Sequence, residues 1–473
     1  MSSNYRPVYH FSPQRGWIND PNGLVYFNGL WHLFYQHMPS ETHWGPMHWG
    51  HAVSRDLTHW EHWPIALYPD QMGGIFSGSA AVVSQGDEHS ELVACFTHAS
   101  EISQVQSVAF SHDGGLTWEK YEGNPVLTLD RPEFRDPKIF RHGNRWLMVV
   151  AAGFEAQIYA SSDLLHWTLL SGFPAPKSDW VWECPDLFEL DGRWVLIASF
   201  IRPGSAVDDG HGSYYWIGDF DGAHFTPETD ILPLTFGPDD YAAVSWSNAP
   251  DERRVIIGWM SKWAYAATTP TADDGWRGAM TLPRDLSLRG DHLIQNPSPE
   301  VFERRGEGVT FDENRIPFEG DAYELEAEID ISKLTQTQVG FRLRVGNGEA
   351  TRVFYDTIQR EMFIDRSQSG HVTFHSAFSG RFHDPLEVEG DVLKLRIFVD
   401  RCSIEAFVQD GELYGPMLVF PSLNSQKTEF FGQGARITKG VIYPYKAESK
   451  MGLDQNSHGW ANGNLHYNGA LSH

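Results

Sequence analysis

The 473-residue chain has only three cysteines, Cys95, Cys184 and Cys402, and they lie far apart. An odd and widely spaced set argues against a disulfide framework and provides no paired spacing for a cysteine-bound metal. The chain also lacks an apolar run long enough to cross a bilayer, and it does not open with a charged start followed by an apolar stretch. These absences predict a cytoplasmic protein with no membrane association.

Basic side chains are scarce as well. The 36 Lys and Arg residues are outnumbered by 62 Asp and Glu residues, which gives a formal net charge of -26. Nucleic acids and anionic membranes require cationic patches, so we expect neither as a partner. Aromatic residues are plentiful in contrast, at 14% with 18 Trp. Most of them are expected in the core, but flat aromatic faces also suit sugar rings, and a small neutral saccharide fits this composition.

Up to about residue 290, short runs rich in Val, Ile, Tyr, Phe and Trp are broken by Gly, Asp, Asn and Pro, with scarcely any helical periodicity. A serine and aspartate motif followed by an aromatic residue recurs about every 55 residues. Its copies lie at 54–60, 111–118, 161–167 and, more loosely, 219–225. A repeat of this length is typical of one four-stranded propeller blade, so this part of the chain holds about five blades.

A second unit follows a proline-rich stretch at 295–300, which we interpret as a linker. Alternation of apolar and charged residues returns there, as in 323–329, and indicates a β-sandwich. We therefore predict an all-β protein with a five-bladed β-propeller over residues 1–297, a β-sandwich over 308–446 and a polar tail over 447–473. The sandwich is also the surface through which we would expect a homo-oligomer to form.

Three carboxylates lie beside or close before a proline, in aromatic or arginine-containing surroundings. Proline excludes the helical conformation for its predecessor, so the directions of Asp20, Asp136 and Glu183 are set before a ligand binds. Asp20 and Asp136 are about two repeats apart and Glu183 follows about one repeat later, so all three should occupy equivalent places that converge on a propeller axis. In the other two blades, the equivalent position of the repeat falls near residues 76–79 and 240–241.

Three acids around one cavity indicate glycosidic cleavage, which needs one carboxylic acid and one carboxylate that attacks the sugar or activates water. We expect the aromatic neighbours of Glu183 to raise its pKa and make it the acid. Hydrogen bonds in the turn after Asp20, and the charge of Arg135 beside Asp136, should keep the other two carboxylates ionised. Taken singly, each of these segments could be an ordinary turn.

The segments that carry these acids resemble glycoside hydrolase family 32, the β-fructofuranosidases that include invertases, exo-inulinases and levanases. The resembling segments are residues 17–23, 49–57, 76–80, 134–138, 182–188 and 276–284. Farther on, residues 399–407 resemble the signature strand of that family's C-terminal sandwich. The resemblance therefore extends over both predicted domains and implies the same fold.

By this resemblance, Asp20 would be the nucleophile, Glu183 the acid and then base, and Asp136 the stabiliser of the transition state. The activity implied is exo-acting release of terminal β-D-fructofuranosyl units from sucrose and short fructans, with retained configuration. The residues themselves show no cluster that completes a metal site and no nucleotide-binding motif, so we expect neither metal nor cofactor. Substrate-binding roles would fall on seven further residues, Asn19, Gln36, Trp44, Phe76, Ser77, Arg135 and Trp263.

Four alternatives remain open at this point. A fructan exohydrolase that prefers polymeric inulin or levan, and a fructosyltransferase, would use the same covalent intermediate. A related five-bladed furanosidase would act on arabinose or xylose polymers. A non-catalytic carbohydrate-binding protein would need the aromatic residues but not the acids.

Overall fold

The computed structural model describes residues 5–84, 90–202 and 212–446, so the predicted tail at 447–473 lies outside the described residues. Nearly all regular structure in these ranges is β, and the predicted fold class is confirmed: a five-bladed β-propeller is followed by a β-sandwich. Branched and aromatic side chains fill the strand interiors because they pack well on a pleated surface.

The first three blades are antiparallel sheets of four strands each. The first blade consists of β1 (Gly16–Phe27), β2 (Leu30–Met38), β3 (His48–Ser54) and β4 (Trp60–Leu67). The second consists of β5 (Gly74–Ser84), β6 (Ser90–Ala99), β7 (Gln104–Ser111) and β8 (Glu119–Lys120). The third consists of β9 (Phe134–His142), β10 (Arg145–Ala152), β11 (Glu155–Ser161) and β12 (Thr168–Pro174).

The fourth blade carries one short additional strand, and another short strand, between the second and third strands of the fifth blade in sequence, joins the sheet of the first blade. The fourth blade consists of β13 (Val181–Leu190), β14 (Arg193–Ile201), β15 (Gly212–Phe220), β16 (Phe225–Pro227) and β17 (Leu232–Pro233). The fifth consists of β18 (Tyr241–Ser245), β19 (Val255–Trp259), β21 (Arg284–Arg289) and β22 (His292–Pro297), while β20 (Trp276–Arg277) pairs in parallel with β1.

The sandwich packs a six-stranded sheet on a five-stranded sheet around an apolar core. Its strands are β23 (Val309–Thr310), β24 (Tyr323–Asp330), β25 (Gln338–Gly346), β26 (Glu349–Asp356), β27 (Glu361–Gln368), β28 (Arg381–Pro385), β29 (Val392–Asp400), β30 (Ser403–Val408), β31 (Leu413–Leu418), β32 (Lys427–Phe431) and β33 (Arg436–Pro444). The order is β23-β33-β24-β29-β30-β31 in the larger sheet and β28-β27-β26-β25-β32 in the smaller.

Helical structure in the described ranges is limited to short 3₁₀ segments. They are Pro250–Glu252, Ala266–Thr268, Pro270–Asp274, Pro299–Arg304 and Glu389–Asp391. None of these helices has the length and apolar character needed to cross a membrane.

The innermost strands of the five blades form a closed ring. β1, β5, β9, β13 and β18 pack against one another in that order, and β18 packs against β1. Backbone hydrogen bonds of 2.9 Å join Ser247, just after β18, to Leu24 and Tyr26 of β1. The ring therefore encloses a single axis on which side chains from all five blades can meet.

The repeated sequence motif is a repeated turn between the third and fourth strands of a blade. In the first three blades, an indole N–H donates to a carbonyl three residues earlier, at 2.9 to 3.1 Å. These pairs are Trp60 with Leu57, Trp118 with Gly115, and Trp167 with Leu164. The fourth blade keeps the aspartate turn, because Asp221 accepts hydrogen bonds from the N–H groups of Ala223 and His224.

The stretch interpreted as a linker begins later than expected. Residues 295–297 belong to β22, and the connection to the sandwich starts after Pro297 with the segment Pro299–Arg304. The first part of the interpretation is wrong because β22 is an edge strand, where proline is tolerated. The domain boundaries at 297 and 308 stay predictions.

Buried charged groups join the propeller to the sandwich. His10 lies between the carboxylates of Asp400 and Glu405, at 2.8 and 2.6 Å. Farther along the same interface, Asp239 of the propeller contacts Arg366 of the sandwich at 2.6 Å. All of these side chains are buried, and each carboxylate has a cationic or hydrogen-bonding partner.

Candidate active site

Each innermost strand of the propeller contains an irregularity at the same level of the ring. The pairing register shifts between Ile18 and Pro21, Phe76 and Gly78, Arg135 and Lys138, Glu183 and Asp186, and Tyr241 and Val244. A bulge redirects side chains that regular pleating would send to alternate faces. The backbone at Asp136, Cys184 and Ala242 accordingly has positive φ, between 47 and 65°. The predicted equivalence of the acid positions therefore corresponds to five aligned bulges.

Asp20 is the best-tethered of the three acids. Its Oδ1 accepts a hydrogen bond from Asn19 Nδ2 at 3.0 Å, and its Oδ2 accepts one from Ser77 Oγ at 2.6 Å. Asn19 is itself oriented by the indole N–H of Trp17 at 2.8 Å. Contacts from both the first and second blades thus fix the direction of this carboxylate.

Asp136 faces Asp20 across the Cys184 thiol. Cys184 Sγ lies 3.4 Å from Asp20 Oδ2 and 3.6 Å from Asp136 Oδ2. The backbone N–H of Cys184 donates to the same Asp136 oxygen at 3.0 Å. A single sulfur atom in contact with both carboxylates shows that these acids, far apart in sequence, border one hollow.

Glu183 lies beside the other two acids with partners of its own. Its Oε1 is 2.9 Å from Arg135 Nη2, and its Oε2 accepts a short hydrogen bond from the hydroxyl of Tyr241. Arg135 Nε lies 3.9 Å from Asp136, so this guanidinium contacts Glu183 more closely than its sequence neighbour. The side chain of Glu183 is 14% exposed, which makes it the most accessible of the three.

Burial decides the electrostatics of the site. It raises the pKa of Asp20, and the negative charge of Glu183 raises it further, although hydrogen bonds from Ser77, Asn19 and Cys184 oppose the shift. Burial also raises the pKa of Asp136 to about 7 against the opposing charge of Arg135. We expected these partners to favour the ionised forms; they do oppose the shift, but desolvation outweighs them and the pKa of each carboxyl is raised.

The expected apolar surroundings of Glu183 are also wrong. Trp182 and Leu187 point into a core between the third and fourth blades, away from the acids. The Glu183 carboxylate instead meets a guanidinium and a phenol. Neighbours in sequence along a strand face opposite sides, and here the bulge at Cys184 separates them further.

The four polar residues among the predicted binding residues lie at two distances from the acids. Asn19, Ser77 and Arg135 contact the acids directly. Gln36 is buried one layer behind, where its amide donates to Asn22 Oδ1 at 2.8 Å and to the backbone of Ile75 at 2.9 Å. It joins the first two blades beneath the hollow.

The remaining predicted binding residues are aromatic. Trp44 is 50% exposed and meets Phe76 edge to face, with ring centroids 5.9 Å apart. Trp263 lies near Trp17 and Trp259, with ring centroids 6.2 and 4.8 Å away. Because Trp17 orients Asn19 and Phe76 precedes Ser77, both aromatic groups border the surroundings of Asp20.

Tyr241 and Cys184 contact the acids but were absent from the predicted site residues. Tyr241 lies at the position of the fifth blade, near residues 240–241, that the repeat makes equivalent to the acid positions. The repeat spacing therefore indicated this residue. The sequence gives no signal for Cys184, because only the bulge brings its thiol to the side of the strand that faces the acids. Burial and the neighbouring carboxylates raise the pKa of this thiol, which keeps it protonated as a hydrogen-bond donor. Among the described residues, no His, Cys, Asp and Glu side chains are grouped to hold a metal ion.

Comparison with known proteins gives the same assignment for both domains. Residues 10–297 match the model of the glycosyl hydrolases family 32 N-terminal domain, and residues 292–444 match that of the family 32 C-terminal domain. A levanase of Bacillus subtilis (strain 168) is 43% identical over 94% of this chain and 71% of its own length. An extracellular exo-inulinase of Aspergillus awamori is 35% identical over 88% of this chain and 90% of its own length.

Solved structures share the whole architecture. The exo-inulinase of Aspergillus awamori superposes with a TM-score of 0.85 at 33% identity, covering 94% of this chain and 98% of that one. The β-fructofuranosidase of Schwanniomyces occidentalis, solved with fructosyl-erythritol, gives a TM-score of 0.84 at 28% identity and the same coverage. The fold, the matched models and these relatives confirm the resemblance noted from the sequence, and the chain belongs to glycoside hydrolase family 32.

Proposed function

We propose that this glycosidase is a retaining exo-β-fructofuranosidase that releases terminal non-reducing fructosyl units from sucrose and short fructans. The observation that carries the proposal is the position of the Cys184 thiol, which contacts Asp20 and Asp136 while Glu183 precedes it in the same bulge. Three carboxylates around one hollow supply the nucleophile, the acid and the stabilising anion of a double displacement.

Asp20 is the proposed nucleophile. Donors from Asn19 and Ser77 fix both of its oxygens, and they favour the ionised form that attack requires. Its attack on the anomeric carbon breaks the glycosidic bond and forms a fructosyl ester. Water then attacks the anomeric carbon from the face that the leaving group vacated, opposite Asp20, and breaks the ester, so two inversions leave the released fructose with its original configuration.

Glu183 is the proposed acid and base. It is the most accessible acid, as required of a group that must reach the departing oxygen and later a water molecule. It gives its proton to the leaving oxygen and takes one back from water in the second step. Tyr241 and Arg135 hold one oxygen each, so the carboxyl plane is fixed between two blades.

Asp136 is the proposed stabiliser of the transition state. It is buried against the backbone of Cys184, and its raised pKa shows that an anion there lacks full compensation from the protein. Hydroxyl groups of a bound fructose can donate to it, and positive charge that develops on the ring favours its ionised form. Arg135 links this residue to Glu183.

The roles are tested by the Asp20→Asn variant and by the stereochemistry of the product. We expect kcat to fall by about 10⁴-fold or more, as for loss of a covalent nucleophile. NMR of fructose released by the native protein should show the β anomer first. The matched control is Asp219→Asn on an exposed strand position, which should leave kcat unchanged. Undiminished turnover by Asp20→Asn would exclude Asp20 as the nucleophile, and sugar binding without turnover by the native protein would favour the non-catalytic carbohydrate-binding alternative.

Substrate preference is the finer part of the proposal. The relatives named levanase and exo-inulinase favour a second candidate, a fructan exohydrolase that prefers polymer. Initial rates on sucrose, 1-kestose, inulin and levan separate the two, and arabinan tests the related furanosidase. Free fructose measured against glucose at high sucrose detects fructosyl transfer.

Location and assembly also belong to the proposal. A cytoplasmic site suits sucrose and short oligosaccharides, whereas the Aspergillus relative is named extracellular. Cell fractionation with an activity assay decides between them. Light scattering tests the homo-oligomer expected through the sandwich.

A further inference from the structure

A fourth carboxylate, that of Glu133, borders the active site and is not used by the proposed mechanism. Its side chain is 41% exposed and pairs with Nη1 of Arg135, whose own side chain is only 7% exposed. Nη1 also donates to Oε1 of Gln104 at 3.2 Å, while Nη2 of the same guanidinium donates to Oε1 of Glu183 at 2.9 Å. Arg135 therefore joins two carboxylates through different terminal nitrogens.

The backbone holds Glu133 in an unusual conformation. Its φ is 59°, in the left-handed region that a residue with a side chain rarely adopts. The N–H of Gly153, in the loop between β10 and β11, donates to the carbonyl oxygen of Glu133 at 2.9 Å. Such conformations persist where the surrounding structure imposes them, and they are frequent at functional sites. The position of Glu133 is therefore set by the fold as well as by its ion pair.

The sharing of one guanidinium matters because of what Glu183 has to do. A general acid must be protonated when it meets the leaving oxygen. An arginine that binds a carboxylate through two parallel N–H bonds strongly favours its ionised form. Glu183 receives only Nη2, because Nη1 is engaged by Glu133 and Gln104. The negative charge of Glu133 also offsets part of the attraction that Arg135 exerts on an ionised Glu183.

The charge of Arg135 itself is secure. Burial lowers its pKa, but the charges of Glu183, Asp136 and Glu133 outweigh burial and raise it. Loss of Glu133 would therefore leave a charged guanidinium with one end released. The titratable groups that border Glu183 are Arg135, Tyr241, Cys184, Asp20 and Asp136. Within the described ranges, Arg135 is the one member of this set that Glu133 contacts.

We propose that Glu133 is a positioning residue: it occupies Nη1 of Arg135 and so prevents that guanidinium from pairing with Glu183 through both terminal nitrogens. The acid keeps a partner that orients it, and it remains able to hold the proton that it gives to the leaving oxygen. This inference rests on the proposed function, since it takes Glu183 as the acid.

The pH profile of kcat/KM on sucrose tests the inference. Glu133→Gln keeps the side-chain length and an oxygen to which Arg135 can donate, but it removes the charge. The alkaline limb reports loss of the proton from the acid, and it should move to lower pH by about half a pH unit, as for one partly screened charge. Glu133→Ala, which also releases Nη1, should move the limb at least as far, and Glu133→Asp, which keeps the charge, should return it close to its native position. A limb that stays in place in Glu133→Gln and Glu133→Ala overturns the inference.

Glu155→Gln is the matched control. Glu155 lies two residues beyond Gly153, is 34% exposed and pairs with Arg131 at 2.6 Å. The change removes a similarly exposed charge and a similar ion pair, but none that touches Arg135. Its alkaline limb should stay at the native position. An equal shift in Glu155→Gln would assign the effect to the overall charge around the site and would overturn the inference.

The crystal structure of Glu133→Ala provides a second measurement that does not depend on turnover. We expect Arg135 to turn so that Nη1 and Nη2 both lie within hydrogen-bond distance of the Glu183 carboxyl group. Arg135 in its native position, with water in place of the Glu133 carboxylate, overturns the inference. Failure of the catalytic proposal would show separately, as native turnover by Glu183→Gln.

Discussion

Buried carboxylates occur in two regions of this molecule with opposite consequences. At the active site, Asp20 and Asp136 are buried close to a third acid, and the pKa of each is raised. At the interface between propeller and sandwich, Asp400 is equally buried, yet its pKa is lowered. The difference lies in the partners, because burial alone would raise all three values.

The interface acids have a matched cation. Burial by itself lowers the pKa of His10, but hydrogen bonds to Asp400 and Glu405 outweigh it and raise the pKa to about 9. Backbone N–H groups of Val8, Tyr9, His10 and Arg401 also donate hydrogen bonds to Asp400. The active site instead places one principal cation, Arg135, among several acids. At the interface, paired buried charges hold the two domains together. At the active site, the acids are incompletely paired and are left to interact with a substrate.

The same Glu→Gln change should therefore act differently in the two regions, and the largest effect is catalytic. Glu183→Gln removes the proposed acid and base, so kcat on sucrose should fall by about 10³- to 10⁴-fold. The amide can still accept from Tyr241, so the free energy of unfolding in urea should change little. A variant with near-native kcat would exclude Glu183 as the acid.

Glu405→Gln is the counterpart at the interface. Glu405 is fully buried and accepts hydrogen bonds from His10, Tyr414 and the backbone of Leu282. Breaking such a network leaves a buried charge unpaired, so the free energy of unfolding should fall by about 3 kcal/mol. The kcat of the folded fraction should be native. Loss of activity without loss of stability would contradict the separation of the two regions.

The interface also predicts an alkaline limit to stability. The pKa of His10 is about 9 in the folded protein and about 6.5 in the unfolded chain, so its contribution is complete below pH 6.5 and is lost as pH rises through 9. Between pH 6.5 and 9.5, about 3 kcal/mol of unfolding free energy should disappear. Urea titrations at several pH values measure this slope. His10→Gln should flatten it, and an unchanged slope in that variant would assign the effect to another group.

The sequence predicted the positions of the acids well but their environments poorly. Repeat spacing placed Asp20, Asp136 and Glu183 on equivalent strands, because each sequence repeat forms one blade and the blades are arranged around a common axis. It could not identify the partner of Arg135, since neighbouring residues on a strand do not share a face unless a bulge intervenes. The interface was equally hidden, because His10 pairs with a residue 390 positions away. Local patterns carry no information on such contacts.

Asp136→Asn should exchange activity for stability. The folded protein retains a proton at Asp136 up to about pH 7, whereas the unfolded chain releases it near pH 4, so stability falls as pH rises through that window. The difference between these two pKa values is equivalent to about 4 kcal/mol, so the neutral amide should raise the free energy of unfolding at pH 7 by up to that amount, together with a large loss of kcat. Urea unfolding at pH 5 and pH 7.5 measures it. If native and variant proteins showed the same pH slope, Asp136 would not be the uncompensated anion.

Ser77→Ala makes the smallest change, because it removes one hydrogen bond and no charge. Ser77 Oγ donates to Asp20 Oδ2 at 2.6 Å and opposes the rise in the pKa of that carboxyl. Its loss should raise the pKa further, so the acid limb of the pH profile of kcat/KM should move upward by about one pH unit. Ser79→Ala is the matched control, since its hydroxyl donates to the backbone of Pro137 rather than to a carboxylate. It should weaken folding without moving the limb. A limb that stays in place in Ser77→Ala would mean that a group other than Asp20 sets it, and the nucleophile would then have to be sought among the remaining acids.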